Sequence, residues 1–577
     1  MSHLKKSFVS LMALCCGHLL LAQEVGTTGT KNPFTFSGNV GVMTNFYSSN
    51  ETFKTRPSFS WNTYGNLEGK TGKLLLPLYF IVNQFNNSNS SPNIQIGISP
   101  TYEWARLHVG YRYIPFSPLT FEGQSFRGVG IELYPKQFRF AAFYGRLNKA
   151  INQDTSSGSF RTPQYSRTGY GIKAGIGNAS RFIDLLYFHA KDDSSSATVI
   201  RSSSGNSLKA QENAVVGTSF KLTISKKWIW TGDASVSGLI QDLSGKRSFD
   251  SSNQSLKNFM SNFLPDSSDI SAHYAAQSSL IFYTPIFSSN LSYRRVQPGF
   301  KSLGTPYMVD DVELISFLNN FSVAKGKVNV STQLSQQHNN LSKSLEAELR
   351  TQVATMNVNA IAGQHLNVNL NYSGYNLKQR NDRNSLPDSL RLNDTVLLNQ
   401  RISQYGISPT YNFTKGNKLH FFSGNANFQV LKDKNTTTAK QNNSNNFSSS
   451  LNYTLSLVDK YYSFSLMGIY SEYKQENNSY TSFGPTIGVS AQLLKDKNLN
   501  LQANIGLLSN NFNNGTKQKN TTYTVSSTYH VKKHAFNFFI NYVYTPTNTI
   551  NNAINLAVPY SVTTKNMYGG LTYNYTF

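Results

Sequence analysis

The chain has 577 residues, of which 39% are hydrophobic, 13% aromatic and 14% charged, and its formal net charge is +24. Typical soluble proteins carry roughly 25% charged residues, so this composition argues against a cytosolic enzyme with a charged surface. Disordered chains are poor in aromatic residues, and the sequence therefore predicts a folded protein.

The first 22 residues have the features of an export signal. Lys5 and Lys6 precede an apolar stretch that is too short to span a membrane, and Ala22 offers a small residue for cleavage. Cleavage there would remove Cys15 and Cys16, which are the only cysteines of the chain. We therefore expect a mature protein without disulfides, thiolate nucleophiles or cysteine metal sites.

Apolar and polar residues alternate with a period of two through most of the remaining chain. The segments 366–372, 451–457 and 498–507 each place apolar residues at every second position, with Asn, Ser, Thr, Gln or Gly between them. A β-strand points successive side chains to opposite faces, so these segments predict strands with one apolar and one polar face. Segments of roughly 9 to 11 residues are long enough to cross a bilayer when tilted.

Short turns alternate with longer polar loops along the chain. Several of the short turns contain Gly, Asn or Asp, which supply the backbone freedom that tight hairpins need. They fall at 68–73, 134–137, 178–181, 225–227, 324–327, 414–418, 458–460 and 531–533. The longer loops fall at 148–166, 191–211, 242–272, 377–401, 431–447 and 546–565. From Phe34 to Phe577 the pattern predicts about twelve turns, about thirteen loops and hence about 26 strands, within a range of about 22 to 30.

Strands with one lipid-compatible face and one wet face cannot leave free edges in hydrocarbon, so the sheet must close on itself. The sequence therefore predicts an all-β fold: a single transmembrane antiparallel up-and-down β-barrel with short periplasmic turns and long extracellular loops. The expected organisation is a signal peptide at 1–22, a short periplasmic segment at 23–33 and the barrel at 34–577.

The polar face carries charges between residues 94 and 190, whereas later strands present mostly Asn, Gln, Ser and Thr. The predicted lumen charge track consists of Glu103, Arg106, His108, Arg112, Glu132, Arg139, Lys173 and Asp184. Such paired charges could orient an anionic or hydroxyl-rich solute, with Arg106 and Arg112 tuning selectivity. The alternative is that solvated opposite charges simply cover the lumen wall.

The longest loop contains an apolar stripe with helical spacing, formed by Leu256, Phe259, Met260, Phe263 and Leu264. Pro265 would end this helix. An apolar stripe is unfavourable in water, so we expect the helix to fold into the lumen and narrow it. A cap over neighbouring loops and a contact with a partner protein are the alternatives.

The last eleven residues, 567–577, alternate aromatic or apolar side chains with Thr and Asn and end on Phe577. This segment resembles the closing strand of Gram-negative outer-membrane β-barrels. The resemblance implies that Tyr573, Tyr575 and Phe577 form the signal read by the barrel assembly machinery. It also implies location in the cell outer membrane of a Gram-negative bacterium, surrounded by lipid and lipopolysaccharide. A TonB-dependent transporter has a plug domain before its first strand, whereas strand-like sequence here begins by Phe34, so we expect no plug domain of that type.

The sequence contains no H-E-x-x-H, no G-x-S-x-G and no phosphate-binding Gly-rich loop. We therefore expect no enzyme activity and no cofactor or metal, and an exported barrel is not expected to have a nucleic-acid partner. The predicted function is a porin-like channel or transport barrel for a hydrophilic solute or polymer. Loops, or a periplasmic or lipoprotein plug partner, would partly occlude its lumen. A structural or secretion and surface-assembly scaffold that binds partner proteins is the alternative, and a secreted β-rich adhesin is a third interpretation.

Overall fold

The computed structural model describes residues 34–51, 56–84, 94–152, 162–197, 208–243, 253–265, 270–345, 347–381, 398–435, 438–476, 478–513, 515, 517–549 and 560–577. The predicted signal peptide at 1–22 and the segment at 23–33 lie outside the described residues, as do parts of several long loops.

The described residues form 27 strand segments and two short helices. The first strands are β1 Thr35–Ser49, β2 Phe59–Thr71, β3 Leu74–Asn83, β4 Ile94–Ile98, β5 Thr101–Tyr102, β6 Ala105–Arg112, β7 Phe126–Leu133, β8 Phe138–Asn148, β9 Ser166–Gly177, β10 Arg181–Asp193, β11 Glu212–Thr223, β12 Trp228–Ile240, β13 Ile270–Tyr283 and β14 Phe287–Val296. The remaining strands are β15 Val312–Val323, β16 Val328–His338, β17 Ala347–Ala362, β18 Leu366–Asn381, β19 Asn399–Lys415, β20 Lys418–Asp433, β21 Ser444–Leu457, β22 Tyr462–Gln475, β23 Asn478–Leu493, β24 Leu499–Phe512, β25 Lys517–Val531, β26 His534–Thr549 and β27 Tyr560–Thr576. The helices are α1 Gln254–Met260 and α2 Ala439–Asn442.

The strands form one closed antiparallel sheet. Segments β4 and β5 are two pieces of one strand, separated by Ser99 and Pro100, and both pair with β3 and β6. Each other strand pairs with its neighbours along the chain, and β1 pairs with β27 from Asn39 opposite Thr576 to Ser49 opposite Asn566. The predicted all-β barrel of 26 antiparallel strands is therefore confirmed.

Strand β10 distinguishes the two faces of the barrel. Ile183 and Leu185 point outward and are 51% and 67% exposed, whereas the alternate residues Asp184, Leu186 and Phe188 are at most 2% exposed. The strand register carries this alternation around the whole sheet. We call the face of Leu185 the outer wall and the face of Asp184 the inner wall.

The connections differ between the two ends of the barrel. At the end where β2 meets β3, the connections contain two to five residues, and Gly72, Gly326 and Gly416 there adopt positive φ angles, which glycine tolerates without a steric penalty. The connections at the opposite end are mostly longer. Two of them, 476–477 and 513–516, are as short as the turns, so the alternation of short and long connections does not extend to strands β22–β25.

Candidate functional site in the lumen

Two loops, 113–125 between β6 and β7 and 297–311 between β14 and β15, pack against the inner wall. Ile114 and Phe121 of the first loop are fully buried in a cluster with Phe143 and Phe188, which point inward from β8 and β10. The rings of Phe121 and Phe143 lie 4.4 Å apart between centroids. The loops therefore form a hydrophobic core inside the barrel, on the arc of strands β7–β13.

Glycines on the inner wall make room for the first loop. A Cβ atom at Gly130 would lie 2.7 Å from Cδ1 of Ile114, and one at Gly171 would lie 2.7 Å from a ring carbon of Phe116. These distances are below normal van der Waals contact, so a larger residue at either position would displace the loop side chain. The small wall residues and the bulky loop residues are thus matched in shape.

Hydrogen bonds attach the second loop to both the wall and the first loop. The Asn213 side chain, fully buried on β11, donates to the Lys301 carbonyl at 3.1 Å and accepts from the Leu303 amide at 3.0 Å. Ser302 Oγ donates to the Thr120 carbonyl at 2.6 Å. Buried polar groups are stable only when they are hydrogen-bonded, so these contacts fix the position of both loops.

The predicted charge track is divided into two groups on the inner wall. In the first group, His108 Nε2 lies 2.9 Å from Glu132 Oε1, and Arg106 Nη1 lies 3.5 Å from the same oxygen. Ser99 Oγ lies 2.9 Å from His108 Nδ1, and Tyr134 donates to Glu132 Oε2 at 3.0 Å. Burial, together with the Glu132 carboxylate, raises the pKa of Tyr134, which lies in the turn after β7.

Ser99, His108 and Glu132 form a chain of the residue types used in acyl hydrolases. Ser99 is only 7% exposed, however, so its hydroxyl is not available to a solute in the lumen. A nucleophile must lie within reach of the reacting atom. We therefore interpret this chain as part of the wall.

In the second group, Arg139 makes a bidentate ion pair with Asp184, at 2.7 and 2.8 Å. Lys173 lies between the two groups and donates to the carbonyl of Pro115 at 3.3 Å. Pro115 belongs to the first inserted loop. Lys173 therefore connects the charged part of the inner wall to loop 113–125, and its side chain is buried beneath that loop.

The two remaining predicted track residues behave differently. Arg112 points inward and donates to the backbone carbonyls of Pro77 and Gly97, which limits its freedom to meet a solute. Glu103 lies in the turn before β6, where it pairs with Lys73. It is therefore at the end of the barrel and not on the inner wall. No group of three or more potential metal-ligating side chains occurs among the described residues.

The rest of the inner wall is neutral and hydrophilic. On β24 the inward residues Asn500, Gln502 and Asn504 alternate with outward apolar residues. Asn357 and Asn369, on the inward faces of β17 and β18, exchange side-chain hydrogen bonds at 3.3 and 3.1 Å. Amide side chains of this kind hydrogen-bond to water and to neutral polar solutes.

The predicted constriction helix lies elsewhere. Helix α1 contains Leu256, Phe259 and Met260, and the following turn contains Phe263 and Leu264. The buried members of this stripe pack against outward-facing residues of β10–β13, namely Tyr187, Ala214, Val236, Ile240, Ile270 and Ala272. The stripe does pack on a surface, but the prediction that it narrows the lumen is wrong, because it lies on the outer wall.

Beyond the contact with this helix, the outer wall is largely apolar. Its exposed side chains come from strands all round the barrel and include Leu185, Leu291, Leu451, Ile487 and Leu571. A closed sheet with an apolar exterior and a hydrophilic interior is stable in a bilayer. The chain is therefore a closed 26-strand β-barrel with the surface of a membrane-spanning protein. Among the described residues, no helix is long and apolar enough to cross a membrane.

Comparisons of the sequence found no matching protein family and no similar curated protein. Solved structures of similar fold include the translocation pore of the P pilus usher PapC, which is 11% identical and matches 94% of this chain and 100% of its own, with a TM-score of 0.35. OccAB2 from Acinetobacter baumannii is 9% identical over 69% of this chain and 98% of its own, with a TM-score of 0.33. The siderophore receptor PirA from Pseudomonas aeruginosa is 10% identical over 95% of this chain and 81% of its own, with a TM-score of 0.33. At these similarities, function must be argued from the barrel itself.

The sequence reasoning missed the two loops that pack inside the barrel. A signal was present in the segment Ile114-Pro-Phe-Ser-Pro-Leu-Thr-Phe121, which is apolar but carries two prolines. Prolines disfavour a central strand, while the apolar residues require burial. Such a segment indicates a loop that packs on a hydrophobic surface.

Proposed function

We propose that this protein is an outer-membrane channel for a hydrophilic solute or polymer, and that loops 113–125 and 297–311 narrow its lumen. The proposal rests on a difference between two arcs of the inner wall. One arc is covered by packed loops, while β16–β27 present mostly neutral amide and hydroxyl groups. A solute would pass along the hydrophilic arc. The end with the longer loops would face the cell exterior.

The size of the barrel supports a second element of the proposal. Twenty-six strands at about 4.8 Å spacing and about 40° tilt enclose a backbone cylinder on the order of 50 Å across. Two loops of this length cannot fill that space. We therefore propose that a periplasmic or lipoprotein partner covers the remaining opening, since an open bore of this size would abolish the permeability barrier.

Among the predicted track residues, Arg106 is the cation best placed to meet a solute. Its side chain is half exposed, whereas Lys173 is buried and Arg139 is held by Asp184. A partly free guanidinium beside the path would favour anions. Arg106 would thus contribute to selectivity, while the other charges serve mainly to build the wall.

Bilayer recordings of the purified full-length protein test this function. We expect ohmic conductance, and Arg106→Gln should lower the preference for anions in reversal-potential measurements. Lys519→Gln removes the same charge from the outer wall and serves as the control. Absence of conductance from folded protein, shown by different gel mobility before and after boiling, would argue against an open channel. It would favour a scaffold role.

A further inference from the structure

The outer wall carries a pocket at the long-loop end of β15–β19, with a volume of about 590 Å³. The part farther from the long-loop end is lined by the exposed Phe317 and Leu334, by the small Ala354 on the next strand, and by the Tyr372 side chain, whose hydroxyl lies over Gly374. A small residue between large ones creates a concave apolar surface. Because it faces the membrane, its natural occupant is an acyl chain.

The part of the pocket nearer the long-loop end is polar. Gln336, Gln352 and Asn376 lie side by side on three neighbouring strands and face outward. Gln352 Nε2 donates to Gln336 Oε1 at 3.2 Å, and Asn376 Nδ2 donates to Gln352 Oε1 at 3.1 Å. Unpaired amides are unfavourable in hydrocarbon. This amide row therefore lies where the hydrocarbon gives way to the polar head-group region.

Cations adjoin this row. Arg401 and Lys434 line the pocket, and Lys432 is directly opposite Arg401 across the β19–β20 pair. All three are exposed, and within the described part of the chain none has a carboxylate at ion-pairing distance. The nearby Asp433 is buried and accepts from Thr438 and Asn442. Directly opposed like charges are destabilising unless an anion lies between them.

We propose that this pocket binds one molecule of a phosphorylated glycolipid of the lipopolysaccharide type. An acyl chain would lie against Phe317, Leu334 and Ala354, and a phosphate would lie between Arg401 and Lys434. The leaflet assignment rests on the proposed orientation, in which the long-loop end faces the exterior. The combination of an apolar cleft, amides and three cations fits a lipid that has acyl chains, hydrogen-bonding groups and phosphate.

Native mass spectrometry of the full-length protein in detergent, titrated with diphosphorylated lipid A or with phosphatidylglycerol, tests this proposal. We expect one lipid A to be retained, with phosphatidylglycerol binding more weakly. Arg401→Gln/Lys434→Gln should lower the affinity for lipid A about thirtyfold. Ala354→Leu, which fills the apolar part, should lower the affinity for lipid A without changing any charge.

The control is Lys517→Gln/Lys519→Gln, which removes two exposed cations from the long-loop end of β25. An equal loss of lipid A from the control would overturn the proposal, as would equal binding of phosphatidylglycerol. Conductance measured on the same samples should be unchanged in all variants. A failure of the lipid site would therefore be distinguishable from a failure of the channel function.

Discussion

At the scale of single residues, the inner wall is stabilised by buried ion pairs. Arg139 forms a bidentate pair with Asp184, near the start of β10. Arg167 forms another with Asp192, near the end of β10, at 2.7 and 2.9 Å. In both pairs the carboxylate is at most 5% exposed. A buried charge is tolerated only with its partner, so these pairs constrain which strands can be neighbours.

Replacing Asp184 with alanine leaves the Arg139 guanidinium without its partner beneath the Phe182 ring, 4.1 Å away. We expect Asp184→Ala to lower the free energy of unfolding by about 3 kcal/mol. Urea unfolding in lipid vesicles, followed by tryptophan fluorescence, measures this change. The double variant Arg139→Met/Asp184→Leu removes both charges and should recover most of the loss. If it is as unstable as the single variant, the charge explanation is wrong.

Glycines beneath the first inserted loop allow a second residue-scale prediction. Gly130→Leu places a side chain where Ile114 packs, and it should displace loop 113–125 and raise single-channel conductance. Gly468→Leu is the control, because a Cβ atom at Gly468 meets nothing within 4 Å. Equal conductance for the two folded variants would show that the loop does not narrow the channel.

The sequence predicted the inward or outward direction of individual strand residues well. Asn329, Asn357, Asn452 and Asn500 face inward as the alternation predicts, because every residue of an antiparallel strand obeys the same period of two. Glu103 was placed wrongly because it lies one residue beyond strand β5, in a turn, where the alternation ends.

At the scale of elements, the helical stripe shows what periodicity leaves open. The spacing of Leu256, Phe259 and Met260 indicates that one face of the helix must be buried, but it does not identify the surface that buries it. The small outward residues Ala214 and Gly238 provide that surface on β11 and β12. In the sequence they look like any other residues of an outward face, so the sequence alone could not identify the docking side.

This placement predicts the effect of removing the helix. Replacing residues 253–265 with a short Gly/Ser linker should leave single-channel conductance unchanged, because these residues contact the outer wall. It should lower the midpoint of thermal unfolding, since the outer wall loses its apolar contacts with Met260 and Leu264. A rise in conductance would show that the segment reaches the lumen. The control replaces helix α2, residues 439–442, with a Gly/Ser linker of the same length as the one that replaces 253–265.

At the scale of the whole molecule, the number of strands followed from the sequence because each of the predicted short turns separates two alternating segments. The path of the long loops did not follow. Loops 113–125 and 297–311 are held by contacts with β8, β10 and β11, which involve residues far apart in the chain. Local patterning carries no information about such contacts, so the occupied arc of the lumen could only be found from the structure.

Closure of the barrel depends on the seam between β1 and β27, where Met43 lies opposite Thr572 on the inner wall. Cys15 and Cys16 lie in the predicted signal peptide, so introduced cysteines would be the only thiols of the mature protein. We expect Met43→Cys/Thr572→Cys to form a disulfide in outer membranes, since directly opposite residues have suitable spacing. The cross-linked chain should migrate faster on a non-reducing denaturing gel. Met43→Cys/Tyr573→Cys places the thiols on opposite faces, and cross-linking of that pair to the same extent would contradict the closed register.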